Sequence, residues 1–395
     1  MEDRRGVTRE ERGALFTRPL MLLTFAAFAA LFGFQLLLSV VPVYADEAGG
    51  GSSGAGLTTT AFMLTTVLTQ IQMPRVLRRF GYGGMLAVGM LLLGLPALLY
   101  VAVDEIPSII GVTLFRGVGF GIVTVIFAAL VAELAPPERR GEALGLLGIA
   151  ITVPTIFANP LGLWLVERFG YEAAFVTGGL APVLGLGAVF GIRHAASFGE
   201  ESGEEVAGFF AGLRRGPLVR LAVLFSASTM AAGVIVTFLP LAAPRTGVFS
   251  AASALLVVGV VTTVARWWAG RFGDRRDARA LLAPGLVACA LGTAAMPLGG
   301  IVMLCGAAVF GVGFGILENA TLVLMMGRVS KSEYGLGSTL WNAAFDAGTG
   351  VGAFTFGFAI SFVGFTGAFL LCATLVASAL VLVLLDYADP VEQSG

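Results

Sequence analysis

Hydrophobic positions along this chain gather in long runs, separated by short stretches rich in Gly, Pro, Asp, Glu and Arg. A helix that crosses a bilayer needs about 20 mainly apolar residues, because lipid offers the backbone no hydrogen-bond partner. Windows near that length lie at 19–44, 57–73, 83–103, 106–131, 144–165 and 173–192, then at 218–242, 251–270, 280–298, 300–326, 337–363 and 366–385. The pattern predicts an all-α membrane protein of twelve transmembrane helices in two six-helix bundles. Its parts are an N-terminal tail 1–18, a bundle 19–192, a linker 193–217, a bundle 218–386 and a tail 387–395. The linker carries Glu200, Glu201, Glu204, Glu205, Arg214 and Arg215.

The basic residues orient these spans. Cytoplasmic loops retain Lys and Arg, and with the N-terminus placed inside only Arg168 and Arg245 fall on the outer side, against a series from Arg4 to Arg328 and Lys331 inside. Both tails are therefore expected in the cytoplasm, and the protein in the cell membrane. The first run, 19–44, exceeds the roughly 7–15 apolar residues of a secretory signal, so a retained helix is expected. GGGSSGAG at 49–56 reads as a flexible external loop.

Composition narrows the function classes. Of 395 residues, 57% are hydrophobic and 12% charged, with a mean hydropathy of +0.91, which excludes a soluble globular enzyme. The net charge of −1 gives no basic surface for nucleic acid. A single lysine, Lys331, and a single histidine, His194, leave no phosphate-binding loop and no zinc set; three cysteines in apolar runs make neither a disulfide framework nor a metal cluster. No cofactor and no metal are expected.

The chain also repeats itself. Gly117-Val-Gly-Phe-Gly-Ile122 recurs as Gly311-Val-Gly-Phe-Gly-Ile316, an offset of 194 that also pairs Gly141 with Gly335 and Phe175 with Phe369. Upstream the offset drifts to 196 at Leu86 and Leu282, and to 198 at Pro19 and Pro217. Six helices repeated once, both copies starting on the same side, give the parallel-repeat arrangement of many secondary transporters. The glycine runs sit inside helices, so close helix packing is their expected role.

Helix count and duplication, together with a loop motif, make the chain resemble the major facilitator superfamily, in particular its drug- and sugar-efflux-like members. The family's G-x-x-x-D-R-x-G-R/K signature is matched after the eighth helix by Gly270, Asp274, Arg275 and Arg279, with Asp277 where Gly is usual; after the second helix only Arg79 and Gly81 remain of it. The resemblance implies alternating access without ATP, these loops acting as a conformational switch. It also implies a small-molecule substrate in a central cavity, proton coupling and a monomer. The stretch Asn159-Pro160-Leu161-Gly162 partly matches an exporter motif, which favours efflux over uptake of an organic anion. A non-transporting membrane sensor or scaffold is a further alternative.

Ionisable groups at lipid depth are costly and mark function by default. Four stand out: Arg116, Arg266, Glu318 and Asp346. Glu318, about 18 residues or roughly 27 Å along its helix, is the first proton-coupling candidate and Asp346 the second. Arg266 and Asp346 are expected to form a buried ion pair. Arg116 resembles an arginine that proton-coupled relatives carry in the fourth helix, although the Gln-Gly that follows it there is missing. With Gln35, Phe34, Asn319, Asn342 and Phe238 it makes up the candidate substrate cavity.

Overall fold

The computed structural model describes residues 17–134, 140–193, 212–273, 275–330 and 333–388. The tails, His194, Lys331, Asp274 and most of the predicted linker lie outside the described residues. Helices α1 (Arg18–Ala45) to α6 (Tyr171–Arg193) include α2 (Gly51–Phe80), α3 (Tyr82–Leu98), α4 (Ile106–Leu134) and α5 (Arg140–Phe169). Then follow α7 (Gly216–Ala242), α8 (Ala251–Gly273), α9 (Leu282–Ala295), α10 (Gly300–Met326), α11 (Tyr334–Ser378) and α12 (Leu380–Ala388). α1 and α7 each start with a proline in the first turn, where the missing N–H costs nothing.

Ten continuous segments among the described residues are long and apolar enough to cross a membrane. Two of them, Arg18–Met73 with 56 residues and Tyr334–Asp386 with 53, have more than twice the length of one crossing. Both break at a glycine in the left-handed region, Gly49 (φ 90°) and Gly364 (φ 69°), a conformation that costs glycine no Cβ clash.

The glycine-rich repeat does the same packing twice. Gly117 and Gly121 abut α2 while Gly119 abuts α3; Gly311 and Gly315 abut α8 while Gly313 abuts α9. A methyl group on any of the six would come within 3.1 Å of a neighbouring backbone atom, so no larger residue lets three helices lie this close. The halves meet where α2 packs on α11 and α5 on α8. The repeat exchanges α2 with α8 and α5 with α11, so it relates these two contacts, of which α2–α11 is the more extensive.

The stretch 49–56 departs from the expected flexible loop. A π turn, Asp46–Gly50, runs into α2, which begins at Gly51. Tertiary contact overrides the loop-like composition: Ser52 Oγ and Ser53 Oγ donate to the Gly357 carbonyl at 2.9 and 3.3 Å, and the space beside Gly56 is filled by α11 backbone. Small residues here serve close approach.

Polar ties between the halves start at the face where α1 ends, with the Arg245–Glu47 ion pair. They continue inward through Thr60 Oγ1 to the Gly350 carbonyl (3.1 Å) and the Thr59–Thr237 hydroxyl pair (3.0 Å) to the middle of α2.

Candidate functional site

Two buried carboxylates, Glu318 and Asp346, lie on α10 and α11. Gly315 brings α10 against the backbone of α8 at Thr262 and Arg266, and one turn later Glu318 Oε2 lies 3.6 Å from an Arg266 terminal nitrogen. Glu318 is 7% exposed, whereas about a third of the Arg266 side chain is exposed. Asn319 continues the polar patch, its Nδ2 lying 3.4 Å from where a Cβ on Gly270 would sit. The switch-loop glycine therefore packs on the helix that carries Glu318.

Asp346 has a different partner from the one expected. Its Oδ2 accepts from Gln70 Nε2 at 2.9 Å, across the α2–α11 contact. Arg266 is held at α10 by the glycine packing of α8, and Asp346 on α11 faces α2, so the pairing is Arg266 with Glu318 and not Arg266 with Asp346. Gln70 Nε2 also reaches Thr124 Oγ1 at 3.3 Å, and Gln70 Oε1 is buried with no hydrogen-bond partner. Asp346 is 6% exposed.

The repeat relates these two places. Thr66 meets Gly121 through its carbonyl as Thr262 meets Gly315, so Gln70 stands where Arg266 stands in the second copy, and Thr124 where Glu318 does. A neutral amide–hydroxyl pair in one half corresponds to an ion pair in the other.

The remaining candidates fall into separate groups. Arg116, 2% exposed, donates from Nε to the Leu93 carbonyl at 3.3 Å, and its guanidinium lies 5.6 and 5.7 Å from the ring centres of Phe62 and Tyr100. Among the described residues no carboxylate pairs with it. Together with Phe34, Thr58, Thr59, Phe62 and Thr113 it lines a cavity of about 20 Å³, room for about one water. Phe34 stacks between Phe62 and Phe120, with ring centres 5.2 and 4.0 Å away. Gln35 accepts from Asn159 Nδ2 at 2.9 Å, tying α1 to α5. Phe238 is fully buried beside Gly357, in helix packing. Asn342 is exposed, its amide turned back to the Ser338 carbonyl at 2.8 Å.

At the face where α1 begins, the switch-loop residues separate as well. Arg79 is exposed over the Phe80 ring, Gly81 turns the chain from α2 to α3, and Arg275 is exposed. Arg279 approaches Asp386 (3.9 Å), which also draws Arg328 (2.7 Å) and Arg220 (3.8 Å). Nearby, hydrogen bonds from Arg215, then from the backbone and hydroxyl of Ser330, pull Glu333 down to about 2.

A family model described as Major Facilitator Superfamily matches residues 23–339 and 269–395. The chain belongs to the major facilitator superfamily, a family of membrane transporters. It is 28% identical to the multidrug export protein EmrB of Haemophilus influenzae over 45% of this chain and 36% of that one. It is 24% identical to an uncharacterized MFS-type transporter of Methanocaldococcus jannaschii, over 40% and 41%. The matched stretches thus span only about two fifths of these curated relatives. Among solved structures, a POT family transporter superposes with a TM-score of 0.79 at 12% identity, covering 93% of this chain and 96% of that one. The Escherichia coli xylose transporter XylE, in a partially occluded inward-open conformation, superposes with 0.72 at 14% identity, covering 96% and 99%. These likenesses carry the fold of the superfamily.

Sequence reasoning missed Gln70 and Asp386. Gln70 is an uncharged amide in the window 57–73, which also holds Gln72, and the signal that would have found it is its repeat alignment with Arg266. Asp386 sits at the end of the last run and shows its role only once three arginines from distant parts of the sequence converge on it.

Proposed function

We propose that this superfamily member is a proton-coupled exporter of a small, partly apolar organic compound. It would work as a monomer in the cell membrane with both termini in the cytoplasm. Twelve crossings follow if each of the two glycine-broken segments passes twice, and the halves are then 19–192 and 218–386 joined by 193–217. Supporting this division, α2 packs on α11 and α5 on α8, contacts related by the repeat across which the halves would rock.

The observation that carries proton coupling is the pair of carboxylates, Glu318 and Asp346, buried at lipid depth in helices that border the contact between halves. A carboxyl group in such a place is costly unless it is paired, or neutralised by a proton. Export draws support from relatives, the multidrug export protein above and the multidrug resistance protein 2 of Bacillus subtilis, 23% identical over 44% of this chain and 43% of that one. Arg116, Phe34 and the aromatic groups beside them would orient the substrate, and Asn319 and Gly270 would link the site to the switch loop.

The test is flux in proteoliposomes, after a thermal-stabilisation screen has found a binder. An antiporter accumulates that binder in inside-out vesicles with an acid lumen. A binder that moves in neither vesicle orientation under a pH gradient would falsify the reading. A second reading, uptake of an organic anion held by Arg116, rests on that cation having no carboxylate partner among the described residues; it requires accumulation in right-side-out vesicles with acid outside, abolished by Arg116→Ala.

A further inference from the structure

We infer that Gln70 and Asp346 form a proton-dependent clasp between the two halves: Asp346 carries a proton while α2 lies against α11, and releases it when the helices part. The inference rests on the proton-coupled reading and names the residue that senses the proton and its partner.

The hydrogen-bonding inventory points this way. An ionised aspartate only accepts, so it uses Gln70 Nε2 and leaves Gln70 Oε1 buried without a donor, as observed. A protonated aspartate has an O–H on its second oxygen. It matches the carboxamide group for group: N–H to one carboxyl oxygen, O–H to Oε1. Both hydrogen bonds then close one ring, and the orphaned acceptor is satisfied.

The charges around Asp346 do not offer an alternative. On α2, Arg75 and Arg79 lie beyond Gln70 towards the helix end, and both are exposed. On α7, Arg220 sits in the first turn beside Asp386. On α10, Glu318 is taken up with Arg266 of α8. The α9 group is Cys289, a buried thiol directed at the Phe310 carbonyl, and on α11 Glu333 precedes the helix with Arg215. Among the described residues Asp346 has no ion pair, only a neutral amide, and a neutral partner does not compensate a buried negative charge.

Position completes the argument. The bond joins α2 to α11, on the contact that Ser52–Gly357 and Thr60–Gly350 close towards the opposite face. Parting the helices removes Gln70 and admits water. The Asp346 O–H bond then breaks, its electron pair stays on the carboxylate and the proton passes to water. Protons thus favour the closed contact, and their loss the open one.

The test is a distance measurement on the full-length protein in lipid nanodiscs, with neither substrate nor gradient. Spin labels go on Ser108→Cys and Val302→Cys, exposed positions related by the repeat at the starts of α4 and α10, with the exposed Cys305 replaced by serine. Between pH 5 and 9 the wild-type chain should shift from a short to a long distance. Asp346→Asn, an amide in place of the acid, should stay short throughout. Gln70→Met should move the half-point to lower pH by about one unit, a tenfold higher proton concentration.

A wild-type distance that ignores pH overturns the clasp, as does an Asp346→Asn chain that follows the wild-type profile or a Gln70→Met half-point that stays in place. Should Asp346→Asn not fold, the Gln70→Met half-point decides alone. The flux assay is separate: a chain that closes with acid yet moves no solute on a pH gradient keeps the clasp and loses the transport reading.

Discussion

The contacts α2–α11 and α5–α8 use the same backbone solution with different chemistry. A Cβ on Gly350 of α11 would meet Met63 of α2 at 2.9 Å, and one on Gly259 of α8 would meet Ile156 of α5 at 2.8 Å; each pair maps onto the other by the repeat offset. Further along α2–α11 comes the Gln70–Asp346 bond. The corresponding positions on α5–α8 hold Thr152 and Arg266, and Arg266 turns within its own half to Glu318. The repeat therefore supplies two related backbone contacts, and only one of them carries a polar side-chain bond between a carboxylate and an amide. The ion pair sits inside a half, where the proposed rocking would leave it intact; the neutral-partnered carboxylate sits between halves, where that rocking would break it.

The largest expected effect breaks this comparison outright. Asp346→Asn should reduce pH-gradient-driven accumulation in proteoliposomes to background while substrate exchange persists. Glu318→Gln should leave a gradient-driven component. The opposite ranking would hand the coupling role to Glu318.

Next in size is the energy of the ion pair. Neutralising Glu318 or Arg266 alone should cost about 1–3 kcal/mol of stability, the lower end because Arg266 is only partly buried, and the double variant should cost less than the sum. A thermal or denaturant double-mutant cycle with purely additive losses would remove the pair from the account.

A third prediction sharpens the equivalence of the two contacts. Gly350→Val and Gly259→Val should each overpack one interface, costing about 1–3 kcal/mol and lengthening the Ser108–Val302 label distance alike. A response from only one of them would show that the halves do not rock on symmetric contacts.

The smallest effect lies at the surface. Glu333 is pulled from its ordinary 4.5 to about 2 by Arg215 and Ser330. A lowered folded-state value means that its stabilisation is present above about pH 4.5 and is lost as the pH falls towards 2. Glu333→Gln should therefore lower the melting temperature slightly at pH 7 and leave it unchanged near pH 2.

The sequence by itself determined the helices, the duplication and the glycine packing, because lipid forces every apolar run of sufficient length into a helix and a repeated small-residue pattern repeats its contacts. It also marked Arg116, Arg266, Glu318 and Asp346 as buried charges. Only the tertiary structure decided who faces whom. Arg266 and Asp346 lie on helices that the sequence places in one bundle, but a helix presents its side chains every 100° or so, and the rotation set by Gly315 against α8 turned Arg266 to Glu318. The same applies to 49–56, whose composition is that of a loop and whose helix exists because Ser52, Ser53 and Gly56 have α11 to lie against. Gln70 carries no charge, so a search for ionisable groups at lipid depth passes over it; its importance comes from one hydrogen bond between residues 276 positions apart, a relation that local sequence does not encode.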